Sequence, residues 1–463
     1  MAGDRPTVPL VSEGETGTVR THDLEGIGGP VAEVARAPRV SVRDAIEGAR
    51  TEGFDALQSM PVRELLDVLA DASLRFEGVG LAAGEDGPGG DAGQYERRVA
   101  RATGLPVGWV RVSVHWLAHG ARHAAEALRA QSPTGGLDVY DDPSYTRERN
   151  VGLAFAPRVR VLGAVMPGND PAVCAWPVMA LAMKIPVVLR PSDRDPFTAV
   201  RLARALLDAG LPPAAIHVLP GDREVGRTLA READHAMVFG DEATTEPYRD
   251  DPTVEAYGPG NSVAVVGRQP SERQLDTLAR GILRAGGRTC FNLTRVVATG
   301  DCDPDALAGA LARRVLGART GRVTDPATDV PAFPDPEVAE RVDDRVATLG
   351  GDVTAALRDG PRRVERDGAA VLRPTVLRAA GTVPELPFPF AAVTRRETPD
   401  VPEDIERAYL GVCVGAEDVE RRFVRSPRVR KVYAGQYPAA VDLRETHEEY
   451  PASFLYETTT YDP

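Results

Sequence analysis

The chain has 463 residues, 43% of them apolar and 27% charged, and its formal net charge is −13. That length exceeds what one hydrophobic core supports and predicts two or three domains, while the ordinary apolar fraction excludes wholesale disorder. The acidic balance excludes nucleic acid or an anionic membrane as a partner of the whole protein.

Residues 1–30 are polar and Gly-rich without periodicity and read as an extended or poorly ordered arm, with no apolar segment of the kind a secretory signal needs. Leu65, Leu66, Val68, Leu69 and Leu74 give a helix near 61–76 its apolar face, and Gly80 to Gly93 reads as a loop. A second helical block near 109–130 carries Trp109, Val112, Trp116 and Leu117. His115, His119 and His123 fall on one face of it at i, i+4 and i+8, but no carboxylate or cysteine completes the set, so no metal is assigned.

From residue 151 strands alternate with helices. Val159–Val165, Ile185–Leu189, Ile216–Leu219, Ala236–Phe239 and Ser262–Val266 are short apolar runs of the kind buried in a parallel sheet. Pro171 to Leu189 has the length of a membrane span, but Pro177, Pro186 and Lys184 interrupt it, so it reads as a helix followed by a buried strand with no membrane span. Ser192-Asp193 is the expected N-cap of a helix through Val200, Leu202, Ala203, Leu206 and Leu207, stopped by Gly210. The pattern predicts an α/β fold with a Rossmann-type domain, although the GxGxxG fingerprint is missing.

The four cysteines, Cys174, Cys290, Cys302 and Cys413, are irregularly spaced with no CxxC pair, which fits a reducing cytoplasm and neither a disulfide framework nor a zinc site. One of them stands apart. Gly286 to Val297 puts Cys290 in a polar turn that runs into a β-branched strand, with Arg288 and Arg295 as nearby cations suited to a thiolate. Taken alone, Cys290 reads first as a small half-buried hydrophobe.

Several segments in order resemble the aldehyde dehydrogenase superfamily. Pro167-Gly168-Asn169-Asp170-Pro171 resembles its Pro-Trp-Asn-Phe-Pro, and Val187 to Asp193 resembles Val-Val-Leu-Lys-Pro-Ser-Glu with Arg190 for Lys and Asp193 for Glu. Gly210 to Gly221 resembles a helix-to-strand passage, and Phe239-Gly240-Asp241 a shortened Phe-Thr-Gly-Ser. Gly287-Arg288-Thr289-Cys290 with Arg295-Val296 resembles the nucleophile segment, and Arg373 to Val376 resembles Gln-Pro-Thr-Val. Two departures stand out. Tyr257 occupies the position of the water-activating Glu, and Glu385-Leu-Pro-Phe388-Pro-Phe replaces Glu-x-Phe-Gly-Pro, which is similar to the acyl-CoA reductase branch.

The resemblance implies a Rossmann-type cofactor domain near 1–257, an α/β catalytic domain near 258–430 and a tail, 431–463, whose Ser453–Tyr461 reads either as a strand that joins a homodimer or homotetramer or as a frayed terminus. It implies that Cys290 forms an acyl-enzyme, with the Asn169 amide and the Cys290 N–H facing the oxyanion. It places NAD(H) or NADP(H) among Pro167, Gly168, Asn169, Arg190, Pro191, Ser192, Asp193, Gly221, Gly240, Asp241, Glu385 and Phe388. A carboxylate such as Asp193 suits a free ribose, while Arg190 and Arg194 suit a 2′-phosphate. With Tyr257 in place of the base, the leading expectation is NAD(P)H-dependent reduction of an acyl thioester, on CoA or an acyl carrier protein, to an aldehyde. The alternatives are oxidation of an aldehyde, with Glu255 as a displaced base, and a non-catalytic scaffold that keeps the fold. The cations Arg421, Arg422, Arg425, Arg428, Arg430 and Lys431 read as a solvated face or as a dock for carrier phosphates. Lysine occurs only at 184 and 431.

Overall fold

The structure, a computed structural model, describes residues 5–18, 20–78, 91–147, 151–397, 407–439, 444–445 and 449–460. Runs of β-branched and small residues too short to be helices build two seven-stranded sheets. The first comprises β1 (Leu10–Ser12), β2 (Glu15–Gly17), β3 (Leu162–Val165), β4 (Val187–Arg190), β5 (Ile216–Val218), β6 (His235–Phe239) and β7 (Val254–Tyr257). Its order is β7-β6-β3-β4-β5-β1-β2, parallel from β7 to β5 and antiparallel beyond. The central strands are buried on both faces, because helices cover each side.

The second sheet comprises β8 (Val263–Val266), β9 (Arg295–Ala298), β10 (Gly351–Asp352), β11 (Thr375–Arg378), β12 (Phe390–Arg395), β13 (Ala408–Val414) and β14 (Val429–Ala434). The order is β10-β11-β12-β9-β8-β13-β14, and only the β10–β11 pair is antiparallel. A smaller sheet pairs Tyr456–Thr460 with Val151–Pro157, and Val151–Pro157 with Ser144–Arg147. Thr458 to Thr460 lie exposed on its open edge. No helix among the described residues is long and apolar enough to cross a membrane.

Two expectations are corrected. The N-terminal arm is not loose: β1 extends the first sheet beside β5, and Thr21–Gly26 pairs with Gly29–Ala35. Its strands are too short to show a period in sequence and take their order from the partners they meet. The helix expected to start at Ser192-Asp193 begins at Phe197, after Pro196. Asp195 accepts the Thr198 N–H at 3.1 Å, so the residue before the proline caps the turn and frees 192–193 to form a loop. Most of the Gly80–Gly93 loop lies outside the described residues.

His217 joins β1 to β5. The Ser12 hydroxyl donates to its Nδ1 at 3.0 Å, and Nε2–H donates to the Ala214 carbonyl at 3.1 Å, so the ring is a neutral tautomer. Burial pushes its pKa down to about 4. Below its ordinary value the unfolded chain binds a proton that the folded chain refuses, so stability is lost as pH falls from about 6.5 toward 4. At the acid end the loss is about 3 kcal/mol. His217→Gln is expected to flatten this part of the stability-versus-pH curve in urea melts, and an unchanged slope would refute the assignment.

Candidate active site

In the first sheet the strand order reverses at β3, which has β4 on one side and β6 on the other. Crevices for ligands form at such switch points, beyond the carboxyl ends of the strands. The turns there are Pro167-Gly168-Asn169 after β3, Pro191-Ser192-Asp193 after β4, Gly221 after β5 and Gly240-Asp241 after β6. A Cβ on Gly168 would lie 2.4 Å from Ser192 Oγ, so the two loops meet only because that side chain is absent.

Facing these turns is the amino end of the second sheet. The segment before β9 turns through three successive left-handed residues, Ala285, Gly286 and Gly287, before Cys290. Gly287 has φ +76°, and a Cβ there would meet the Phe388 carbonyl carbon at 2.3 Å, which is backbone and cannot yield cheaply. Before β8, a Cβ on Gly260 would lie 2.5 Å from Cys290 Cα, and Ser262 Oγ donates to the Cys290 carbonyl. Cys290 is in no disulfide and is half-buried. Asn169 bridges the two halves: its Nδ2 donates to the Arg288 carbonyl at 2.5 Å, two residues before the thiol. Asn169 Oδ1 is buried with no partner among the described residues.

The structure brings Asn169, Cys290 and Glu385 together. Glu385 accepts the Gly260 N–H at 3.0 Å and the Asn261 N–H at 2.6 Å, which ties it to the loop packed on Cys290. Burial raises its pKa, and those two N–H donors oppose the rise. Phe388 does not join them. It is 1% exposed and packs beside Phe390 with ring centres 5.7 Å apart, so its ring cannot line a cofactor crevice as expected.

Other expected roles are corrected too. Arg190 donates through Nε and Nη2 to the Gly221 carbonyl and through Nη2 to Asp193 at 2.6 Å. Its cation therefore staples the loops to each other before any ligand arrives. Asp241 accepts the Thr244 N–H and hydroxyl, at 3.0 and 2.7 Å, and is taken up as a helix cap. Tyr257 is buried with its ring stacked on Phe239 at 4.6 Å and 13°, and on Trp176 at 6.3 Å and 18°. A flat ring between two others holds the sheet to its neighbours and is no base. Glu255 lies one pleat down the strand and faces His235 Nε2 at 3.8 Å, while His235 stacks on Phe454. That carboxylate points toward the far end of the sheet, away from the turns that carry the site, so it does not act as the displaced base.

The two arginines expected to hold the thiolate do something else. Arg288 donates to the Pro387, Thr103 and Ala332 carbonyls at 3.0, 2.7 and 2.8 Å, and lies over the Phe333 ring at 5.2 Å. Burial without a counter-ion pushes its pKa down to about 10. Arg295 donates to the Val383 carbonyl and the Asn261 amide oxygen. Both pin backbone segments.

A cavity of about 210 Å³ opens beside Thr289 and Phe291. Its walls include Trp109, Trp116, Trp176 and Tyr409, all three tryptophans of the chain among them, with Arg284 and Lys431 as cations. Lys431 went unread as a site residue, and its one signal was the near-absence of lysine elsewhere. The cationic run 421–431 is not one face: Arg421 pairs with Asp418, Arg430 is 3.8 Å from Glu449, and Lys431 is turned inward. Among the described residues no cluster of His, Cys, Asp or Glu is arranged to hold a metal; His115 sits 3.2 Å from Glu77, and His123 Nδ1 bonds the His119 carbonyl.

A sequence model described as the aldehyde dehydrogenase family matches residues 25–382. Geranial dehydrogenase of Castellaniella defragrans is 30% identical over 259 residues, 50% of this chain and 50% of that protein. The NADP/NAD-dependent aldehyde dehydrogenase PuuC of Escherichia coli is 26% identical over 318 residues, 65% of this chain and 59% of that one. The chain thus spans about half the length of the curated relatives it matches. Among solved structures, a gamma-glutamyl-gamma-aminobutyraldehyde dehydrogenase from Burkholderia cenocepacia superposes with TM-score 0.80 at 21% identity, over 98% of this chain and 96% of that one. An indole-3-acetaldehyde dehydrogenase in complex with NAD+ gives TM-score 0.78 at 20% identity, covering 98% and 96%. At these identities the structures establish the shared fold.

Proposed function

Because the chain belongs to the aldehyde dehydrogenase family, we propose that it oxidises an aldehyde with NAD(P)+ through a covalent bond to Cys290 and hands the acyl group to a thiol. The observation that carries this reading is a half-buried cysteine in a turn that packs on Gly260, is bridged by Asn169, and lines an aromatic cavity with its neighbours Thr289 and Phe291. The switch-point crevice fits a dinucleotide: Gly168 lets two loops meet there, and Asn169 leaves a buried oxygen unpartnered. Residues 167–169, 191–193, 221 and 240 would hold it, with Arg190 and Asp241 fixing the loops that carry them. Once bound, NAD(P)+ supplies the hydride acceptor.

The Cys290 thiolate attacks the carbonyl carbon, and negative charge gathers on the oxygen. By family resemblance, the Asn169 amide and the Cys290 N–H are its donors, and losing one costs about 3 kcal/mol of barrier. Asn169→Ala is expected to lower kcat roughly a hundredfold with Tm little changed; a kcat within a few-fold of wild type would remove Asn169 from the site.

Water needs a base to attack the resulting acyl-cysteine. A tyrosine titrating near ~10 is unsuited to that role, and Tyr257 is stacked besides. A thiol, on CoA or an acyl carrier protein, deacylates the enzyme without such a base. In reverse, the same steps reduce an acyl thioester, the direction favoured by the sequence. Oxidation takes first place because the relatives and structures named above are aldehyde dehydrogenases. The apolar, tryptophan-rich cavity favours an aldehyde with an apolar or aromatic body.

We assign the dinucleotide to residues 1–257, the nucleophile to 258–430 and the inter-subunit strand to 431–463, in a cytoplasmic homodimer or homotetramer. The exposed Arg421, Arg422 and Arg425 are offered to the carrier's phosphates. The test mixes aldehyde and NAD(P)+ with and without CoA, and acyl-CoA with NAD(P)H. Reduced cofactor is expected to form in a burst of one equivalent without thiol and continuously with it. Continuous acid formation without thiol would overturn the acyl-transfer step.

A further inference from the structure

Of the two lysines in a chain with 55 Lys and Arg, both are buried. Lys184 is explained by Asp141, with Nζ to Oδ1 at 2.5 Å, far from the cavity. Lys431 is not explained by packing. It sits on β14, 7% exposed, and its Nζ reaches across Tyr409 to Phe291, the residue after Cys290, at 5.7 and 5.8 Å from the two ring centres. Those rings meet edge to face at 4.7 Å. The ammonium is held by Glu445, 3.0 Å away, whose Oε2 also accepts the Tyr433 hydroxyl at 2.6 Å. Arg284, also on the wall of this cavity, lies 4.8 Å from the centre of the Phe291 ring and bonds Tyr437.

Resting on the functional reading above, we propose that Lys431, anchored by Glu445 and Tyr433, is the cation that keeps Cys290 as a thiolate. The guanidinium groups of Arg288 and Arg295 are engaged by the Thr103 and Val383 carbonyls. The compact ammonium lies over both rings, a cation–π contact with each. Burial lowers the Lys431 pKa, Glu445 and Cys290 act to raise it, and Arg284 acts to lower it. The groups facing this pair are Glu445, Tyr433, Arg284 and Tyr437, with Asp170 and Glu449 on the cavity wall and Glu385 behind Gly260. When the thiol ionises its proton leaves to water and Lys431 keeps its own, so one ammonium is shared between the Glu445 carboxylate and the sulfur. Lys431 is a positioning residue, because it acts through the sulfur and no substrate contact is required.

The experiment is the pH dependence of iodoacetamide alkylation at Cys290, read by peptide mass. The other cysteines are buried, with thiols pushed up by burial, so labelling is selective. In Lys431→Met the midpoint of the profile is expected to rise by about one pH unit or more, and labelling at neutral pH to slow about tenfold. In Lys431→Ala, added ethylammonium is expected to restore much of the rate, a rescue that a purely structural role would not show. A Lys431→Met profile superposing on a fast wild-type one, or no rescue in a folded Lys431→Ala, would overturn the proposal. Wild-type Cys290 reacting no faster than glutathione would overturn the functional reading itself, and this proposal with it.

Discussion

Cys290→Ala is expected to lower thiol-dependent aldehyde turnover by at least about 10⁴-fold, the scale seen when a covalent nucleophile is removed. Background attack by water or free thiol sets the floor. The substitution removes a single half-buried sulfur, so the melting temperature should stay close to wild type. Dinucleotide binding, measured by fluorescence quenching, should also survive, because the turns that would bind it belong to the first sheet. Loss of turnover with binding and stability intact is the signature of the role assigned to Cys290. Residual activity within tenfold of wild type would mean that another group carries the chemistry.

Arg288→Met is expected to be the most destabilising single change near the site. Its three carbonyl partners come from three separate segments, at Thr103, Ala332 and Pro387, and methionine leaves all of them without this donor. At about 1–3 kcal/mol for each buried unpaired group, the total is roughly 3–9 kcal/mol. The melting temperature should fall by about 3–9 °C. Turnover should fall as well, since the Arg288 carbonyl accepts from Asn169 and the turn leads into Cys290. Arg288→Lys should lie between, because an ammonium lacks the planar fork that reaches three segments at once. If Arg288 acted instead as a cation for the sulfur, Arg288→Met would shift the Cys290 alkylation profile while leaving the melting temperature in place.

What the sequence disclosed follows from how local each signal was. The nucleophile turn was legible because Ala285-Gly286-Gly287, Cys290 and the strand from Arg295 are contiguous. The alternating strands and helices disclosed the first sheet for the same reason, and the switch-point turns followed in order. The destinations of long side chains were not legible. Arg288 and Arg295 are neighbours of Cys290 in sequence, yet their guanidinium groups are committed to distant carbonyls. Lys431 arrives from the last strand of the second sheet and reaches the site across two rings. Tyr257 stood at the position of a base, but its role is set by Phe239 on the adjacent strand and Trp176 on a helix. Asp193 read as a cap because it follows Ser192, while Asp195-Pro196 carried the stronger signal. The strands at 10–17 were missed because segments of three residues have no measurable alternation.

The central claim, an acyl group held on Cys290 until a thiol removes it, has a direct measurement. Protein is mixed with an apolar aldehyde and NAD(P)+ without thiol, quenched in acid, and weighed intact, then digested to locate the adduct. The account predicts one acyl mass per chain, on the Cys290 peptide, persisting for many turnover times and vanishing when CoA is added. Steady production of free acid with no adduct, or an adduct that decays as fast without CoA as with it, would contradict the account.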